Sequence, residues 1–185
     1  MSNKIIVSTQ APSPRKQNLI VLFILFLFIL SLFVQGCKND IPEQELEVGS
    51  SAPDFTLPAL TGEATNLKNY LDGNNVFLLF WSSSCSSCKE TMTALEEVYK
   101  ERHGEGFSVI AVNVFQKRED IEKYSKRLNL TYPLLLDQKG SVAGLYEVYA
   151  IPVTYILGES GKILYKFLGD MTKEKVESLV KEFWK

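Results

Sequence analysis

The chain is poor in the residues from which most metal centres are made: one histidine and three cysteines in 185 residues. A structural zinc site needs four thiolate or imidazole ligands, and these four residues are scattered at Cys37, Cys85, Cys88 and His103. Metal binding is therefore not expected, and His103, beside Gly104, reads as a solvated helix end interacting with the dipole. An excess of charge is missing too. The chain has 20 basic and 22 acidic residues. Lys4, Arg15 and Lys16 are the bases that precede Cys37, and no acid does, so the rest of the chain is more acidic than its total suggests. That leaves no electrostatic basis for binding nucleic acid. Internal repeats and low-complexity tracts are also lacking, and the alternating charges from Lys117 to Lys126 read as a solvated helix face.

The one long apolar run is N-terminal. Residues Leu19 to Val34 follow a basic, acid-free segment and lead into Gln35-Gly36-Cys37, which reads as an export signal. At ~1.5 Å per residue a helix of this run falls short of the ~30 Å hydrocarbon core of a membrane. It suits a cleaved signal better than a spanning helix. Residues 1–36 are taken as the signal, 37–48 as an acidic tether, and 49–185 as one domain large enough to bury a core.

The remaining two cysteines are where the chemistry is expected. Val76 to Phe80 is a continuous apolar run, fit for a strand buried on both faces, and Phe80-Trp81-Ser82-Ser83-Ser84-Cys85-Ser86-Ser87-Cys88-Lys89 follows. Beyond it Cys88, Met92, Leu95 and Tyr99 share one face of a helix that Gly104 can stop. With Ser84 as N-cap, Cys85 falls in the first turn, where free backbone N–H groups and the helix dipole favour a thiolate. Cys85 is then the exposed nucleophile and Cys88 the resolving thiol of a redox-active pair. A structural disulfide is the plainer alternative, but so short a loop would restrict the unfolded chain little.

The periodicity elsewhere predicts a small hairpin at Thr56–Leu60 and Ala64–Leu67. Strands are expected at Val76–Trp81, Phe107–Val114, Pro133–Leu136, Val153–Leu157 and Ile163–Leu168. Helices are expected over Ser84–His103, Asp120–Leu128 and Ser141–Val148, with a last one capped by Thr172. The fold class is α/β, a mixed central sheet with helices on both faces and an N-terminal β-hairpin extension.

Several blocks together resemble the thioredoxin superfamily, and within it the membrane-tethered TlpA/ResA-like thiol-disulfide oxidoreductases, relatives of the AhpC/TSA redoxins. They are Val48 to Leu57, Leu60-Thr61-Gly62, Leu67 to Tyr70, the Trp-x-x-x-Cys-x-x-Cys segment, Leu134 to Asp137, and Tyr146 to Ile156 with its Ile151-Pro152-Val153-Thr154 core. The resemblance implies a cis Pro152 lying against the dithiol, with Ile151 offering its backbone to an extended substrate. Trp81 is expected to line that substrate surface beside Cys85, and a half-buried structural role for it is compatible with this. It also implies exchange on exported, disulfide-containing proteins without a cofactor, tending to reduction as in cytochrome c maturation. Electrons would come from a membrane thiol donor of DsbD/CcdA-like kind.

Val34 to Cys37 resembles a bacterial lipobox, which implies a lipidated Cys37 on the bacterial cell envelope, the domain facing the periplasm or the exterior. An uncleaved signal anchor is the alternative. The chain departs from the resemblance at three places. Leu79 stands where thioredoxin has a buried aspartate, Thr91 where ResA-like members have a glutamate, and Thr93 where a proline often kinks the helix. Glu90 or water is left to take the proton of Cys88. Two other functions compete: a thiol peroxidase, in which Cys85 passes through a sulfenic acid, and a surface-tethered binding module with a vestigial dithiol. Against the peroxidase, Leu78 occupies the place of the peroxiredoxin proline.

Overall fold

A computed structural model of the chain describes residues 46–102 and 104–184, with Asn18 and Leu25 as single positions before them. The export signal, the lipidation of Cys37, most of the tether and the reading of His103 lie outside the described residues. Among the described residues no helix is long and apolar enough to cross a membrane.

Among the described residues seven strands and five helices follow one another. They are β1 (Thr56–Pro58), β2 (Ala64–Asn66), α1 (Lys68–Leu71), β3 (Asn75–Trp81), α2 (Cys88–Arg102), β4 (Phe107–Val114), α3 (Arg118–Leu128), β5 (Leu134–Asp137), α4 (Ser141–Leu145), β6 (Val153–Leu157), β7 (Ile163–Leu168) and α5 (Lys173–Phe183). β1 and β2 form the expected hairpin. The other five make a sheet in the order β5-β4-β3-β6-β7, in which β3 pairs parallel with β4 and antiparallel with β6.

The apolar run predicted as a doubly buried strand is the middle strand of this sheet. Phe77, Leu79 and Trp81 face α2, α3 and α5; Val76, Leu78 and Phe80 face the hairpin, α1 and α4. All six are fully buried. At about 1.5–3 kcal/mol for each large apolar side chain buried, this strand alone supplies a large share of the folding drive. Leu46, assigned to the tether from sequence, belongs to the second core cluster, and Gly49 donates its N–H to Ile163 O at 2.7 Å. Packing thus begins before residue 49.

The topology gathers the loops that matter at one end. β3 and β4 run in the same direction, and Phe80 pairs with Val153 while Val153 pairs with Leu168. The ends of β3, β4 and β7 and the start of β6 therefore lie side by side, and the CxxC segment leaves from the middle of that row.

Candidate active site

Cys85 and Cys88 are joined by a disulfide with their Cα atoms 5.4 Å apart. Cys88 is fully buried under α2, and Cys85 is half-buried at the surface. One correction concerns how Cys85 is held. The helix starts at Cys88, not at Ser84, so Ser84 is no N-cap and Cys85 precedes the first turn. Serine hydroxyls compete with helix formation here. Ser82 O accepts from Cys85 N at 3.1 Å, and Ser82 Oγ lies 2.8 Å from Ser84 Oγ and accepts from Ser84 N at 3.3 Å. A helix N-terminal donor still reaches this sulfur: the N–H of Cys88 donates to Cys85 Sγ at 3.2 Å. A first-turn N–H with no helical partner is aimed at the sulfur of Cys85.

The peptide bond between Ile151 and Pro152 is cis, and Ile151 O lies 3.9 Å from Cys85 Sγ. Pro152 O in turn accepts from Gly169 N at 2.9 Å, tying this loop to the end of β7. A second correction concerns Trp81. Its side chain is fully buried, with its ring 5.2 Å from that of Tyr124, so it cannot line a substrate surface. The alternation along β3 points it into the core beneath α2. Large apolar side chains are exposed at this end of the sheet: Phe115 is 70% exposed, Leu168 65% and Tyr149 93%.

The three departures from thioredoxin-like patterns have structural counterparts. Leu79 is core. Thr91 is fully buried, its hydroxyl accepting from Met171 N at 2.8 Å. Thr93 Oγ1 donates to Lys89 O at 2.9 Å, and Glu90 is exposed. A shallow groove of about 400 Å³ beside Ser86 contains Glu90 and Lys173. The larger hollow, about 730 Å³ around Asp54, Asp72 and Glu159, lies at the opposite end of the sheet and has no part in this site.

Two groups escaped the sequence reading. Glu96 is a buried acid on α2, accepting from Thr131 N and Oγ1 at 2.8 Å each and paired with Lys100 at 3.0 Å. Its place four residues after Met92, on the buried face, was the available signal. The other group is Ser83, Asn113 and Gln116. Of these only Asn113, a polar residue in an apolar strand, announced itself. Among the described residues no cluster of three histidine, cysteine or carboxylate side chains could hold a metal.

The chain and its fold match known proteins over most of their length. Residues 48–166 match the AhpC/TSA family. The chain belongs to that family. Within it, the chain is 34% identical over 166 residues to thiol-disulfide oxidoreductase ResA of Geobacillus thermodenitrificans, covering 88% of this chain and 95% of that protein. It is 39% identical over 151 residues to thioredoxin-like protein YneN of Bacillus subtilis, covering 80% of this chain and 85% of that one. StoA from Bacillus subtilis superposes with a TM-score of 0.60 at 28% identity, over 69% of this chain and 96% of its own. A thiol:disulfide interchange protein from Bacteroides sp. gives 0.68 at 25%, over 76% and 92%. The chain is thus a thioredoxin-like, ResA-like thiol-disulfide oxidoreductase.

Proposed function

We propose that this AhpC/TSA-family oxidoreductase reduces disulfides in exported proteins, with Cys85 as nucleophile and Cys88 as resolving thiol. The observation that carries the assignment is the asymmetry of the pair: Cys85 reaches the surface beside Ile151 O, and Cys88 is sealed behind it. In the reduced state the Cys85 thiolate attacks one sulfur of a substrate disulfide. A mixed disulfide forms and the other substrate sulfur leaves as a thiolate that takes up a proton. Cys88 then loses its proton and attacks Cys85 Sγ, expelling the second substrate thiol. Two electrons have moved to the substrate, and the Cys85–Cys88 bond holds the oxidised equivalent. With Leu79 and Thr91 in the places of the family's acids and Glu90 exposed, water entering from the Cys85 side takes the proton of Cys88.

The exposed apolar rim of Phe115, Tyr149 and Leu168 suits an extended protein segment, laid along the backbone of Ile151 beside Pro152. A peroxide needs no such rim, and Arg118, the arginine next after the dithiol strand pair, is engaged by the carbonyls of Ala59 and Leu60. The N-terminal run and Cys37 support a lipid-tethered or anchored protein on the outer side of a bacterial membrane, reduced in turn by a membrane thiol donor of DsbD/CcdA-like kind. The deciding experiment is a redox titration of the Cys85/Cys88 couple against dithiothreitol and glutathione. A midpoint near that of thioredoxin, ~−270 mV, supports reduction of partners; one near ~−120 mV makes the protein an oxidant, and no reversible couple ends the oxidoreductase reading.

A further inference from the structure

Ser83, two residues before Cys85, is gripped from the loop that follows β4. Gln116 accepts from its backbone N–H through Oε1 at 2.7 Å and donates to its hydroxyl through Nε2 at 2.7 Å. The same Oε1 accepts from Asn113 Nδ2 at 2.8 Å, so the amide is fixed in one orientation. The fold explains how a residue 33 positions away arrives here. β4 runs parallel to β3, with Asn113 opposite Trp81, so the chain leaves both strands at the same level. Phe115 then adopts a left-handed conformation, φ 61°, rare for a bulky residue. That turn carries Gln116 back toward the segment leaving β3.

We infer that Gln116 is a positioning residue for thiol-disulfide exchange, bracing the Ser82–Ser84 turn so that Cys85 stays within reach of Cys88 when no covalent bond joins them. The inference rests on the oxidoreductase reading above. In the oxidised protein the disulfide itself holds the turn. In the reduced protein the turn has no covalent tie and rests on hydrogen bonds, among them Cys85 N to Ser82 O, Ser84 N to Ser82 Oγ, Cys88 N to Cys85 Sγ, and the double contact of Gln116 with Ser83. The brace is built from neutral groups and changes no charge. It acts by keeping the effective concentration of one sulfur at the other high, which favours both ring closure and the resolving step. Gln116 touches neither sulfur, so its effect passes through Ser83.

The test uses the full-length chain in detergent with Cys37→Ser, so that only the pair titrates. Gln116→Ala is expected to lower the dithiol-disulfide equilibrium constant about tenfold, a midpoint more positive by about 30 mV, and to lengthen the life of the mixed disulfide. The rate of first attack by Cys85 is expected to change little. Gln116→Glu keeps both acceptor contacts and lets the Ser83 hydroxyl donate instead, so its midpoint should not move to the positive side. A purely structural role would lower the melting temperature and leave the midpoint and the resolving rate where they were. That result overturns the inference while the oxidoreductase reading stands. If Gln116→Ala does not fold, Ser83→Ala, which removes one of the two contacts, must give a smaller shift of the same sign, and no shift overturns the inference equally. A parent protein without a reversible Cys85/Cys88 couple overturns both readings together.

Discussion

The backbone N–H of Met171 donates to the hydroxyl of Thr91 at 2.8 Å, with both residues buried on the face that also covers Cys88. Thr91 occupies the position where ResA-like members carry a glutamate. Its oxygen is committed to joining α2 to the segment before α5, so the site has gained a tie in place of a base. Replacing it with valine leaves the Met171 N–H unpaired in the core, at a cost of about 1–3 kcal/mol. Thr91→Val should lower the urea midpoint accordingly, Thr91→Ser should recover most of the loss, and the pH profile of exchange should not change in either. A changed profile would show that Thr91 takes part in moving the proton of Cys88.

The burial difference between the two cysteines sets a second expectation. After reduction, a small alkylating agent should label Cys85 and spare Cys88 until the protein unfolds. Cys85→Ser should abolish exchange. Cys88→Ser should retain the first attack and accumulate a mixed disulfide with a model substrate, visible as a mass adduct. Equal labelling of both thiols in the folded protein would remove the basis for assigning them different roles.

The sheet was readable because its strands are apolar runs bounded by turn residues: β4, β6 and β7 fall on the predicted residues, and β3 differs by Asn75 alone. Thr172 caps α5 as expected, accepting from Lys175 N. The start of α2 was not readable. Whether serines at 82, 83 and 84 cap a helix or bond to one another is decided by neighbours remote in sequence, here Gln116. The burial of Trp81 depended on which face of β3 meets α2, and two compatible roles were left open for it. Cys85, Cys88, Ile151 and Pro152 were legible as a group only through their resemblance to a family pattern. Ser83 and Gln116 belong to no pattern of spacing, and only the parallel register of β3 and β4 unites them.

Glu96 offers a test of buried charge used for architecture. Its carboxylate holds Thr131 by two hydrogen bonds and pairs with Lys100, joining α2 to the loop before β5. Hydrogen bonds to a charged group contribute about 1.5–3 kcal/mol. Glu96→Ala should therefore cost roughly that much, a fall in melting temperature of about 4–10 °C for a chain of this size. Disulfide exchange by the folded variant should match the parent. Loss of activity at temperatures well below its melting point would connect this distant acid to the dithiol.

Alkaline pH should unfold the protein through its buried phenols. Tyr146 is fully buried and donates to Pro53 O at 2.7 Å, and Tyr132 donates to Met92 O at 3.2 Å. Burial pushes both phenols well above their ordinary range, with Tyr155 and Asp54 adding to the effect on Tyr146, and Glu96 and Tyr124 to that on Tyr132. A phenol with a raised folded pKa stabilises the fold fully below the unfolded value, near pH 10. Above that pH the unfolded chain releases the proton first, and the contribution falls by about 1.4 kcal/mol per pH unit for each such tyrosine until the folded pKa is reached. Stability of the oxidised protein, in which neither Cys85 nor Cys88 titrates, should thus fall steeply above about pH 10. The part of the tyrosinate absorbance that comes from the buried phenols should rise in the same step as unfolding. Tyr132→Phe, which removes one of the buried titrating phenols, should make the fall shallower. A slope identical to that of the parent would mean that Tyr132 ionises in the folded state as readily as in the unfolded one, contrary to its burial.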